Sequence, residues 1–176
     1  MFVRIKKVLD RFLEVLVTVV MALLVIDVVW QVFTRYALKN PSTWTEELAI
    51  FLLIWVGMLG ACVALNRGAH LGIDYFVSKL SEKKRFYAQL FVFTCIAIFS
   101  FSVMLIGGVK LVNIVYQRSQ FSPALGLNMA YVYLAIPISG FFLVIYSVEF
   151  AVETILAIIK HEKHPQQISE SAAEID

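Results

Sequence analysis

The fold class this sequence predicts is all-α: an integral membrane four-helix bundle with a short cytoplasmic interfacial amphipathic helix. Three observations predict it. First, four long stretches are nearly free of charge. Leu48–Leu65 is apolar throughout, Phe86–Val109 and Phe121–Val148 hold no charged side chain, and Phe12–Thr34 holds only Glu14 and Asp27. About 20 apolar residues in helical form cross a hydrocarbon layer roughly 30 Å thick, and helices satisfy their own backbone groups where lipid cannot. Second, basic residues are segregated to alternate connections. Third, between the second and third stretches Ile73, Phe76, Val77 and Leu80 recur at helical spacing, with Asp74, Ser78, Lys79 and Glu82 opposite.

Composition agrees. Hydrophobic residues make up 60% of the 176, above the usual share of roughly 45–50%, and the mean hydropathy is +0.81. The net charge of +2 is too small to attract nucleic acid. The four stretches fill more than half the chain and leave no room for a soluble catalytic domain, so no enzyme is expected.

Helix 1 is predicted over 12–36. Its apolar run is long, carries Asp27, Trp30 and Gln31, and ends without a small-residue cleavage site, so it reads as a retained span rather than a secretion signal. Asn40-Pro41 makes the first turn. Helix 2 spans 44–66, with Thr43 as N-cap and Glu46 reaching back in a capping box. Glu46 and Glu47 also suit the positive end of that helix dipole. The amphipathic segment 73–80 lies flat in the interface, with Lys83, Lys84 and Arg85 near anionic headgroups. Helix 3 covers 86–113, with room to continue to Gln117, and Ser122-Pro123 and Gly126 mark the next turn. Helix 4 covers 128–159, long enough at 1.5 Å per residue that it must tilt or project. One transmembrane domain, 1–160, is therefore expected, followed by an irregular polar tail, 161–176.

Eleven basic residues fall in the N-terminal segment, the central connection and the tail. Arg35, Lys39, Lys110 and Arg118 make four on the other side. The positive-inside rule then places both termini in the cytoplasm.

Ionisable groups within spans are expensive and mark function or assembly. Asp27, Gln31 and Thr34 share one face of helix 1, either as a local hydrogen-bonded patch or as a seam against a second membrane protein. Glu14 lies within i,i+3 reach of Arg11. Glu149 and Glu153 either pair with the basic first segment or reach interfacial water. Gly57-x-x-Gly60 and Gly107-Gly108 would permit close helix approach. Trp30, Trp44 and the tyrosines near the turns fit interfacial anchoring. Cys62 and Cys95 fall in different spans as small hydrophobes. His70, His161 and His164 have no partners at ligand spacing, so neither metal nor cofactor is expected.

Three segments in register carry a family resemblance. The first is Gln31-Val-Phe-Thr-Arg35-Tyr36 with Pro41, Trp44 and Glu46-Glu47-Leu48. The second is Trp55 with Gly60-Ala61, then Arg67-Gly68-Ala69-His70 and Ile73-Asp74. The third is Ser122-Pro123-Ala124-Leu125-Gly126 with Tyr133-Leu134-Ala135-Ile136-Pro137. Over residues 10–155 the chain resembles the small, Q-type membrane subunit of tripartite ATP-independent periplasmic (TRAP) transporters. It departs at Ile50, where members often carry Arg, and at Asn128, near which they often carry Pro.

The resemblance implies a scaffold subunit in the bacterial inner membrane. Its partners would be a large membrane subunit, a periplasmic substrate-binding protein and the lipid bilayer. The system would import an organic acid, sialic acid or a C4-dicarboxylate, on the sodium gradient. Asp27, Gln31, Arg35, Trp44, Glu46, Glu47, Arg67, His70 and Asp74 are the expected interface or motif residues. Arg35 is expected to pair with Glu46 or Glu47 across the Pro41 turn. The alternative is a self-sufficient dimeric transporter coupled through Asp27 or Glu14.

Overall fold

A computed structural model describes residues 2–40, 42–67 and 82–173. The expected interfacial helix 73–80, and with it His70 and Asp74, lies outside the described residues. Helix α1 runs Phe2–Tyr36 and α2 Thr43–Asn66. Helix α3, Glu82–Phe99, passes without a break into a π-helical segment, Ser100–Gly107, and then into α4, Gly108–Gln117. A short α5, Ala130–Tyr133, leads into α6, Ala135–Ala173. Four spans long and apolar enough to cross a membrane result: Val8–Tyr36, Thr43–Asn66, Tyr87–Gln117 and Ala130–Leu156. The all-α membrane class follows directly from the sequence.

Local chemistry moves some boundaries. Helix α2 starts one residue early, because Ser42 takes the extended N-cap conformation and Thr43 is already helical. Serine is as good in that place as threonine. The buried Thr45 hydroxyl then donates to the Ser42 carbonyl at 2.9 Å, and Glu46 makes no capping box. The fourth span restarts at Ala135, which puts Pro137 in the first turn of α6, where a missing N–H costs nothing. At its far end α6 continues to Ala173 rather than giving way to an irregular tail.

The helices pack in an open row. α1 lies against α2, α2 against α6, and α6 against α3 and the π segment, while among the described residues the backbone of α1 approaches neither α3 nor α6. The main core cluster joins Leu13 of α1, Leu59, Cys62 and Leu65 of α2, and Phe142 and Tyr146 of α6. The Cys62 thiol donates to the Ser139 carbonyl at 3.3 Å, tying α2 to α6. Phe93 of α3 stacks on Phe150 of α6, with centroids 5.3 Å apart.

Of the glycines expected to permit close approach, Gly108 does so and Gly57 and Gly60 do not, while Gly140, which the spacing did not single out, approaches most closely. A Cβ on Gly57 or Gly60 would meet nothing within 4 Å. A Cβ on Gly140 would stand 2.8 Å from Met104 Cβ, and one on Gly108 would stand 3.0 Å from Ile136 and Pro137. Glycine on α6 thus lets the π segment settle against it. A π-helix is rare and usually a single turn, and no residue pattern in Ser100–Gly107 announces one.

Candidate functional site

Three groups of polar residues stand out, one at each end of the row and one in mid-span. The end holding the α1 N-terminus is tied by charge. Lys6 Nζ lies 2.5 Å from Glu149 Oε1, joining α1 to α6. The fully buried Tyr146 donates its hydroxyl to Asp10 at 2.7 Å. Arg67, just past α2, donates from Nε and Nη2 to Glu14 Oε1 at 3.0 and 2.8 Å. Glu149 therefore takes a basic partner rather than water. Glu14 pairs across helices instead of with Arg11, because the row sets the end of α2 beside the start of α1. Both ion pairs are partly exposed, and each is worth about 0–1 kcal/mol. They act as positional ties more than as sources of stability.

At the opposite end the 118–129 connection forms a small hairpin. Phe121 and Asn128 make an antiparallel bridge, Ser122 N–H donates to the Leu127 carbonyl at 2.8 Å, and Gly126 takes the left-handed conformation at φ +62. Its tip leaves the Ala124 and Leu125 N–H groups free of backbone partners. Glu47 of α2 fills the gap. Its carboxylate accepts from the Ser122 hydroxyl, from Ala124 N at 3.1 Å and from Leu125 N at 3.1 Å. Glu46 stays exposed beside a shallow hollow of about 480 Å³ lined also by Thr43, Ile50, Pro123 and Ala124.

The expected Arg35–carboxylate pair is not formed. Arg35 is exposed and makes no salt bridge among the described residues, and Glu47 faces the hairpin. Sequence reasoning read Ser-Pro-Ala-Leu-Gly as a turn and missed its role as a carboxylate receptor. The signal available in the sequence was a serine hydroxyl in the 118–129 connection, at the same end of the bundle as Glu47. Asp10 and Tyr146 were missed as well, whereas the Lys6–Glu149 pair is one of the two alternatives the sequence offered for Glu149.

In mid-span, Asp27 lies in a groove between α1 and α2. Leu23, Ile26 and Trp30 form one wall and Trp44, Leu48 and Leu52 the other, around about 430 Å³. Asp27 is only 7% exposed, and its Oδ2 has no hydrogen-bond partner among the described residues. Gln31 and Thr34 do share its face, but the Thr34 hydroxyl donates to the Gln31 carbonyl at 2.9 Å. The three do not form one closed network.

Fold and site together define a multi-pass membrane protein whose polar chemistry joins helices to one another. The family model described as "Tripartite ATP-independent periplasmic transporters, DctQ component" matches residues 24–157, and the chain belongs to that family. It is a small TRAP permease subunit of the DctQ and SiaQ type, a transporter component rather than an enzyme. It is 28% identical over 149 residues, 82% of each chain, to the sialic acid TRAP transporter small permease protein SiaQ of Vibrio cholerae serotype O1. To the C4-dicarboxylate TRAP transporter small permease protein DctQ of Rhodobacter capsulatus it is 35% identical over 97 residues, 55% of this chain and 42% of that one. It is 40% identical over 73 residues to the sialic acid TRAP transporter permease protein SiaT of Haemophilus influenzae, covering 39% of this chain and 12% of the relative. In that relative the shared segment is part of a much longer permease chain. Two of the three resemblance segments meet in space: Glu47 of the first binds the Ser122–Gly126 tip of the third.

Proposed function

We propose that this chain is the scaffold subunit of a sodium-coupled importer of organic acids, with sialic acid or a C4-dicarboxylate as the substrate class. It packs beside the large transport subunit in the bacterial inner membrane, with both termini in the cytoplasm as the split of basic residues requires. The hairpin end then faces the periplasm. There the Glu47 clamp and the hollow beside Glu46 present a fixed surface for the substrate-binding protein.

The observation that carries this reading is the family match over residues 24–157. SiaT supports it, since there a segment like this one is continuous with a longer permease. The named substrates of SiaQ and DctQ support the organic-acid class. The competing reading, a self-sufficient coupled transporter, draws on the unpartnered Asp27 but loses its other candidate, because Glu14 is committed to Arg67 at one end of the row.

Reconstitution in liposomes decides. The purified chain alone should move no solute, whereas the chain with its large subunit, binding protein and a sodium gradient should take up the organic acid. Sodium-driven or proton-driven uptake by this chain alone would remove the scaffold reading.

A further inference from the structure

The groove between α1 and α2 presents a physical problem that this chain does not solve by itself. A carboxylate inside a span costs several kcal/mol unless it is paired or hydrogen-bonded. Asp27 is buried, yet its Oδ2 has no partner among the described residues, and the walls around it are aliphatic side chains and the rings of Trp30 and Trp44.

Depth narrows what can complete it. Asp27 precedes the end of α1 at Tyr36 by nine residues, about 14 Å along the helix. Half of a hydrocarbon core is about 15 Å, so the carboxylate lies inside the hydrocarbon core, below the headgroups. Acyl chains can fill the groove but offer no donor. An ordered water needs two to four polar partners, and beyond Asp27 the lining offers only the indole N–H groups of Trp30 and Trp44, neither of them a cation. A second copy of this chain docked with its own Asp27 at this groove would bring two carboxylates together, which like-charge repulsion opposes. A protein helix approaching from the side meets both needs, since it has apolar surface for the walls and a side chain for the carboxylate.

We propose that this groove seats a transmembrane helix of the large permease subunit, which brings a cationic N–H donor to Asp27. The inference rests on the scaffold reading above and adds the place and the chemistry of contact. Charge complementarity selects a basic side chain. The continuity of a similar segment with a longer permease in SiaT selects the permease as the source. Ile26 is 65% exposed and Trp30 48% on the open side of this face, apolar surface of the kind such a helix would cover.

The test uses the full chain co-expressed with its large subunit. Asp27→Leu removes a buried unpartnered carboxylate, so it should leave the isolated chain as resistant to SDS unfolding as before, or more so. In the same variant the affinity for the large subunit should fall about tenfold or more, the loss expected for one charge-assisted hydrogen bond. Asp27→Asn, whose amide oxygen still accepts, should lose less. A photocrosslinker replacing Ile26 should capture the large subunit, identified by mass spectrometry. Undiminished association of Asp27→Leu, or crosslinks only to lipid or to a second copy, overturns the groove assignment while leaving the scaffold reading intact. Failure of the unaltered chain to associate with the large subunit overturns both.

Discussion

Gly140→Ala measures how closely the π segment sits on α6. The new Cβ would stand 2.8 Å from Met104 Cβ and 3.1 Å from both Met104 C and Leu105 N. Carbon atoms pack best at about 3.5–4.0 Å, so roughly an ångström must open. Rotamer changes cannot supply it, because the obstacles are backbone atoms and the root of a side chain. The helices must separate, and overpacking of this kind costs about 1–3 kcal/mol. Alanine returns up to about 1 kcal/mol through its better helix propensity, leaving a net loss of about 0–2 kcal/mol. Gly60→Ala is the internal control. Its Cβ meets nothing within 4 Å, so only the propensity gain of up to about 1 kcal/mol remains. Unfolding of the purified chain in mixed micelles with rising SDS, followed by far-ultraviolet circular dichroism, should separate the two variants by about 2 kcal/mol. Equal stability would show that α6 and the π segment do not pack through Gly140.

Two further outcomes follow from the ties at the row's ends. Tyr146→Phe keeps the buried ring and its stacking on Phe142 while deleting the donor to Asp10. Interhelical hydrogen bonds in membranes average about 0.6 kcal/mol and a charged acceptor raises this, so the same SDS assay should show a loss of about 1–2 kcal/mol. A further loss on adding Asp10→Ala to Tyr146→Phe as large as Asp10→Ala causes alone would rule the bond out. Glu47→Gln should speed hydrogen exchange at the Ala124 and Leu125 amides, which its carboxylate now holds, and leave exchange in α6 unchanged. Unaltered exchange at those two amides would mean that the clamp does not hold the hairpin.

The spans were legible because lipid imposes one rule on every residue of a segment, and a hydropathy window reads it directly. Leu48–Leu65 could hardly be anything else. Which groups meet was less legible, since that depends on neighbour order. Glu14 has Arg11 within one turn, yet it binds Arg67, 53 positions away. Arg35 and Glu47 flank one short turn, yet Glu47 reaches the hairpin rather than α1. The glycine pattern misled for a related reason. Gly57-x-x-Gly60 has the spacing of a packing motif, but spacing does not say which neighbour, if any, lies on that side. The π segment left no trace, because it changes the hydrogen-bond partner of each residue without requiring a particular side chain.

The distribution of polar ties makes α1 a beam clamped at one end. Lys6, Asp10 and Glu14 anchor its first turns to α6 and to the end of α2. Beyond them its neighbour is α2, met through apolar contacts. From Glu14 to Tyr36 this part of the helix is about 33 Å long and carries Trp30, Arg35 and one wall of the Asp27 groove, with no salt bridge past Glu14 among the described residues. The end fixed by polar ties thus carries the core, and the end without them carries the surface open to a neighbour.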